Sequence, residues 1–143
     1  MTISEALLQR LAPTLLDLVA AQRLSILIFH SIPRVADPLA PDTWPADVFD
    51  EQMGRLKQTM RVLPLLAAVE QLSKGSLPKR AVAITFDDGY RDNFEVAAPI
   101  LLRHGLHATF FVSSGFLDGG RMFNDTVIET VRRLPEGVVE LPP

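Results

Sequence analysis

Two adjacent carboxylates, Asp87 and Asp88, follow directly after the apolar stretch AVAITF. Neighbouring carboxylates repel each other, and their close approach raises the pKa of one of them unless a cation lies beside the pair. A divalent metal ion removes the repulsion, so that one carboxylate binds the metal while the other remains a general base. Gly89 then permits a sharp turn with positive φ. For the bare tripeptide Asp-Asp-Gly, a simple polar turn with a helix cap is the commoner alternative.

Other polar residues follow predicted strands and belong to the same edge of the sheet. His30 comes directly after the apolar run LSILIF, and Ser113 and Ser114 follow ATFFV. Sites in parallel α/β sheets form at the carboxyl ends of the strands, which puts these residues and the carboxylate pair on one face. His30 either contacts substrate or only ties its loop, and Tyr90 either lines a cleft or packs beside the strand. His30, Tyr90 and Ser113 are therefore candidate substrate-binding residues. A nucleophilic serine is not expected, since the serines have no nearby base.

Three further residues have two possible roles each. His104 and His107 have the spacing H-x-x-H, which would suit a metal only on one continuous helix. Gly105 ends the predicted helix between them, on the face opposite Asp88, so we expect an exposed or capping role. Trp44 lies in a proline-rich loop, where it either stacks on a sugar or anchors the loop to the core.

Hydrophobic periodicity predicts strands that alternate with helices, and therefore an α/β fold with a parallel sheet. The predicted strands are 24–29, 62–66, 81–86 and 108–112. The predicted helices are one capped by Asp47, one at 67–74 closed by Gly75, one that begins near Ala98 with Pro99 in its first turn, and one at 125–134. A kinked helix through Pro99 is the alternative for the third. Asp92 or Asn93 is expected to cap that helix.

The first 23 residues predict a separate amphipathic helix that is bent at Pro13. They have no basic start and carry Glu5, so we expect no signal peptide and a cytoplasmic or undetermined location. No apolar run reaches the length of about 20 residues that a membrane span needs. A net charge of −3 gives no field that would gather nucleic acid, and the absence of cysteine excludes disulfides and thiolate metal sites.

The wider context of the pair resembles the polysaccharide deacetylases, also called carbohydrate esterase family 4. The resemblance spans residues 24–134 and rests on TFDDGY around Asp87, the approach LPKRAVAI, the helix carrying Pro99, and the segment HGLHATFFVSSGFL. It implies a distorted (β/α) barrel that removes acetyl groups from N-acetylated carbohydrate. Asp87 would be the catalytic base and Asp88 a ligand of a divalent metal, commonly zinc. A zinc ion with three protein ligands lowers the pKa of its bound water to about 7.

The chain departs from this family in its histidines and its length. The family's H-x-x-x-H motif, which supplies two further metal ligands, is absent from the sequence. A complete barrel takes about 250 residues, whereas this chain has 143. We therefore expect residues 24–143 to form an incomplete α/β barrel, as a fragment, a truncated product or part of an assembly such as a homo-oligomer.

Two other functions compete with deacetylation. The first is a non-catalytic carbohydrate-binding or scaffold module of the same fold. The second is phosphoryl transfer, which is disfavoured because the chain has neither Asp-x-Asp spacing nor a phosphate-binding glycine loop.

Overall fold

A computed structural model describes residues 23–135 and 137 of the chain. The predicted amphipathic helix at 1–23 lies outside the described residues, apart from Arg23. Four strands alternate with helices: β1 (Leu24–Phe29), α1 (Ala46–Thr59), β2 (Arg61–Val62), α2 (Leu65–Ser73), β3 (Ala81–Phe86), α3 (Ala98–His104), β4 (Thr109–Phe110) and α4 (Phe123–Arg133).

The sheet is parallel and is built around β3, as the sequence predicts. β1 pairs with β3 along its whole length, from Leu24 opposite Ala81 to Phe29 opposite Phe86. On the other side of β3, β2 pairs with its beginning and β4 with its end. Every residue of β3 is buried, in keeping with its unbroken apolar sequence. This parallel sheet has open edges, because β1 has β3 as its one partner among the described strands.

The main core lies between the sheet and the helices α1 and α3. Phe49 and Met53 of α1 are buried against Phe86 of β3 and against Ile100 and Leu101 of α3. The rings of Phe29, Phe49 and Phe86 meet with centroids 5.3 to 6.0 Å apart. Burial of this apolar surface fixes α1 and α3 on one face of the sheet.

The helix at Pro99 combines the two alternatives that the sequence left open. The α-helical part begins at Ala98, as predicted, with Pro99 in its first turn. The chain before it is nevertheless helical: Asn93–Ala97 form a π-helical turn, and the Ala98 N–H donates to the Asn93 carbonyl. Pro99 has no N–H to donate, so an α-helical hydrogen bond is missing at this residue. The wider π-helical turn lies just before it. Gly105 ends α3 with φ of 65°.

Several predicted element limits are wrong. Pro45 rather than Asp47 precedes α1, and the Asp47 carboxylate accepts from the Val48 N–H inside the first turn. Strand β2 is confined to two residues, because Pro64 already leads into α2. Helices α2 and α4 begin two residues earlier than predicted, and β4 is shorter. No helix within residues 23–135 is long and apolar enough to cross a membrane.

Candidate functional site

The acidic pair lies where the backbone leaves the sheet. The Asp87 N–H donates to the Phe29 carbonyl at 2.8 Å, which extends the pairing of β1 and β3 by one residue. Asp88 then adopts a left-handed conformation with φ of 70°, and Gly89 follows with φ of 75°. A non-glycine residue in this conformation is strained, and such strain is common at functional sites.

Gly89 is required by both conformation and space. A Cβ atom at this position would lie 2.8 Å from Cγ1 and 3.3 Å from Cα of Val112. The segment after β4 therefore packs directly against the turn. Two contacts of Ser113 add to this packing: its N–H donates to the Asp88 carbonyl at 3.3 Å, and its Oγ lies 3.5 Å from Asp88 Oδ1. The second distance is at the limit for a hydrogen bond.

A cavity of about 860 Å³ opens beside this turn. Its size is within the range of small-molecule sites. It is bounded by the end of β1, the loop 30–45, the turn at Asp88 and one side of α4 from Asn124 to Arg132. The residues that line it include His30, Asp37, Asp42, Trp44, Asp88, Tyr90, Arg121, Asn124, Asp125, Glu129 and Arg132.

The structure brings three of the five predicted site residues to the wall of this cavity. Asp88, His30 and Tyr90 line it together. Ser113 contacts Asp88 but does not line the cavity, and neither does the half-buried Asp87. The predicted edge of the sheet thus gathers all five residues around one turn, with Asp88 the acidic residue of the pair that faces the space.

Tyr90 is fixed by the first turn of α4. Its hydroxyl donates to Asp125 Oδ1 at 2.9 Å. Burial of the ring, together with the hydrogen bond to the Asp125 carboxylate, raises the pKa of Tyr90 to about 12. Asp125 was expected only as a helix-start residue. Its role as the partner of Tyr90 depends on a contact across 35 positions, for which no local sequence signal exists.

The loop 30–45 is tied to α4 by a charged contact. Arg132 donates to both carboxylate oxygens of Asp37, at 3.3 and 2.5 Å, and to Glu129 at 3.1 Å. The hydrogen bonds from Arg132 lower the pKa of Asp37, and the partnership with Asp37 raises the pKa of Arg132. Asp37, Glu129 and Arg132 all line the cavity, so this contact forms part of its wall.

Asp92 and Asn93 do not cap the helix as expected. Asp92 Oδ2 accepts from the Ser31 hydroxyl at 2.5 Å, which joins the loop after His30 to the segment after the acidic turn. Asn93 is 3% exposed and forms part of the π-helical turn. Neither residue makes a side-chain capping bond to α3.

The donors at the turn do not complete a metal site by themselves. Within residues 23–135, no group of three or more His, Asp or Glu side chains is placed to hold a metal ion. His104 is the last residue of α3, and its Nε2 is 2.6 Å from Oδ1 of Asp50 in α1. His107 is exposed just before β4. These positions agree with the expectation that the two histidines do not form a metal site. That expectation remains a prediction.

Comparison with known proteins connects the turn to one family. Residues 74–137 match the family model for polysaccharide deacetylase, and this segment contains Asp87, Asp88, Tyr90, Ser113 and Asp125. YxkH of Bacillus subtilis, a protein named after the same family, is 50% identical over 34 residues, which are 24% of this chain and 12% of YxkH.

Solved structures give the same family over a longer stretch. The de-N-acetylase from Aggregatibacter actinomycetemcomitans superposes with a TM-score of 0.56 at 29% identity, over 68% of this chain and 40% of that enzyme. The deacetylase PplD of Streptococcus pyogenes, solved in complex with acetate, gives a TM-score of 0.56 at 27% identity, over 76% of this chain and 52% of PplD. The chain thus spans about half or less of the length of these relatives.

The sequence match includes the acidic turn, and the structural matches cover 68% and 76% of the chain. Both kinds of match are to deacetylases. In sequence over residues 74–137 and in fold over most of its length, the chain is therefore similar to part of a polysaccharide deacetylase domain.

Proposed function

We propose that this chain contributes to a metal-dependent hydrolase that removes N-acetyl groups from a polysaccharide or oligosaccharide. The observation that carries the proposal is the turn at Asp88, which has a positive backbone φ and lies on the wall of a cavity that His30 and Tyr90 also line. The de-N-acetylase and deacetylase relatives named above support the reaction class.

The two carboxylates have separate roles in this proposal. Asp87 acts as the general base that takes a proton from the water attacking the acetamide carbonyl. Asp88 is one ligand of a divalent metal, zinc by analogy with the family, which polarises the carbonyl when bound. The other ligands come from outside residues 23–135, either from a longer polypeptide or from a second subunit.

His30 and Tyr90 contact the sugar in this account, since both line the cavity. Ser113 acts indirectly, because its N–H and hydroxyl contact Asp88 rather than the cavity. It fixes the position of the carboxylate.

A second function remains a candidate because the described residues form no metal cluster of their own. A carbohydrate-binding module would keep the cavity and its aromatic residues without deacetylating anything. Metal binding at Asp88 distinguishes the two functions, since a binding module has no use for a metal there.

The catalytic role is tested best in a chimera. Residues 24–135 of this chain would replace the aligned segment of the Aggregatibacter actinomycetemcomitans de-N-acetylase, which supplies the rest of the domain. We expect a folded chimera to release acetate from N-acetylglucosamine oligomers. Asp87→Asn should lower the rate by about 100-fold or more, the range for loss of a general base.

The matched control is Asp118→Asn, which removes an exposed carboxylate from the loop before α4 and should leave the rate unchanged. A folded, metal-loaded chimera whose rate is the same with Asp87→Asn as without it would refute the assignment. The unmodified chain of 143 residues is expected to release no acetate, because its described residues do not complete the ligand set.

A further inference from the structure

The cavity beside the acidic turn contains a large aromatic side chain with no role in the proposed chemistry. Trp44 lines the cavity together with Asp88 and Tyr90, and 40% of its surface is exposed. The buried part of its surface can anchor the loop, because burial is what makes such an anchor stabilising. The exposed part of Trp44 instead faces space large enough for a ligand.

The indole of Trp44 packs against the aromatic residues of the core. Its ring meets the ring of Phe29 at 60°, with 5.5 Å between centroids, an edge-to-face geometry that favours both rings. Phe29 in turn contacts Phe49 and Phe86 of the core. Trp44 is therefore supported by the aromatic cluster of the main core rather than by the loop alone.

The loop that carries Trp44 is itself ordered by consecutive turns. The Ala46 N–H donates to the Pro33 carbonyl at 2.9 Å and closes the base of the loop. Ala40 accepts from both the N–H and the hydroxyl of Thr43, at 3.1 and 2.7 Å. Asp37 fastens the far side to Arg132 of α4. A binding surface that is ordered in advance loses less conformational entropy when a ligand arrives.

Polar side chains line the same cavity as the indole. They include Asp42, Arg121 and Asn124. A pyranose ring has one face of C–H groups and a rim of hydroxyls, so an aromatic surface flanked by carboxylate, amide and guanidinium groups matches both parts. An acetylated molecule without a sugar ring would use the polar groups but not the indole face.

We propose that Trp44 is a sugar-stacking residue and that the cavity binds at least two linked hexopyranose units, one at Asp88 and one on the indole. The inference deepens the proposed function and rests on it, because it takes a glycan as the ligand. It makes the substrate an oligomer or polymer rather than an acetylated small molecule.

The test uses the fact that Trp44 is the single tryptophan of the chain. The fluorescence of the intact 143-residue protein reports on this residue alone and needs no substitution. Titration with N-acetylglucosamine and with its dimer and trimer should give a saturable change, with the trimer bound about tenfold or more tighter than the monomer. That factor corresponds to about 1.4 kcal/mol.

A variant separates stacking from general binding. Trp44→Phe keeps an aromatic contact with Phe29 but presents a smaller face, so the affinity for the trimer, measured by calorimetry, should fall about fivefold or more. Phe94→Ala is the matched control, since Phe94 is 80% exposed and does not line the cavity; its affinity should equal that of the wild type. Thermal unfolding of each variant verifies that it is folded.

The outcomes distinguish this inference from the proposed function. If the trimer shifts the NMR signals of Asp88 and Tyr90 while Trp44 fluorescence stays constant, the stacking role is wrong and the deacetylase site stands. If Trp44 responds as expected but the chimera shows no dependence on Asp87, the stacking role stands and the deacetylase proposal fails. Equal affinity for monomer and trimer would overturn the inference that two sugar units are bound.

Discussion

Asp87 and Asp88 are neighbours in sequence but have different surroundings. Asp87 still belongs to the sheet, because its N–H continues the pairing with β1. Asp88 has left the sheet through a left-handed backbone conformation and lies on the cavity wall. The turn thus gives the two adjacent carboxylates different surroundings, as the proposed division between a metal ligand and a general base requires.

Substitution of Gly89 tests how tightly this turn is built. Gly89→Ala combines a positive φ, which costs about 1–2 kcal/mol, with overpacking against Val112, which costs about 1–3 kcal/mol more. Gly75→Ala is the matched control: its φ is 66°, but an added Cβ would meet nothing within 4 Å. Urea unfolding should therefore show a larger loss of stability for Gly89→Ala than for Gly75→Ala. Equal losses would contradict the close approach at Val112.

Tyr90 gives a spectroscopic reading of the contact with α4. It is the one tyrosine of the chain, so the ultraviolet absorbance of the phenolate reports its titration without interference. In metal-free protein we expect a midpoint near the pKa of about 12, and Asp125→Asn should lower this midpoint. Because the folded pKa is raised above the ordinary value of about 10, Tyr90 stabilises the fold fully below pH 10, and this contribution is lost as the pH rises towards 12. A midpoint near 10 in the folded protein would contradict the burial and the hydrogen bond.

Helices α1 and α3 are held together by two kinds of contact of very different value. Phe49→Ala empties part of the core and should lower the free energy of unfolding by about 3–5 kcal/mol. Asp50→Ala removes the pairing with Arg103 and His104, which is largely exposed and is worth about 0–1 kcal/mol. Chemical denaturation measures both.

The Asp50 contribution also depends on pH. Hydrogen bonds from His104 and Arg103 lower the pKa of Asp50, so its stabilisation is present above its ordinary pKa and is lost as the pH falls below that value. Asp50→Ala should therefore narrow the difference in stability between neutral and acidic solution. If Asp50→Ala lowered the free energy of unfolding as much as Phe49→Ala, the conclusion that core packing outweighs the charged contact would be wrong.

The sequence predicts these elements best where one physical factor dominates. The unbroken apolar runs of β1 and β3 define both strands to the residue, and Gly105 ends α3 where it was expected. The limits of α1, β2 and β4 depend instead on tertiary packing, which overrides local capping and propensity. The same distinction between local and long-range signals applies to the site. The motif predicts roles for Asp87 and Asp88 from neighbouring residues. The contacts of Asp125, Asp92 and Arg132 join distant parts of the chain, so no local pattern predicts them.

The open edge of the sheet is a property of the whole described structure. Ile26 and Ile28 of β1 are 46% and 61% exposed, on a strand whose outer edge has no partner among the described strands. An apolar edge of this kind favours pairing with another chain or another segment. We expect Ile28→Lys to reduce self-association of the 143-residue chain in sedimentation experiments. Leu66→Lys, at a position 82% exposed on α2, is the control, and an equal effect from both would exclude β1 as the interface.

Metal binding at Asp88 is the most direct test of the central claim, that this turn is part of a metal-dependent deacetylase site. Paramagnetic Mn²⁺ added to isotopically labelled protein broadens the NMR signals of amides close to the bound ion, even when binding is weak. We predict selective broadening at residues 87–90 and at Ser113, retained in Asp118→Asn and lost in Asp88→Asn. Broadening that is spread evenly over the surface carboxylates, and is unchanged by Asp88→Asn, would contradict the account.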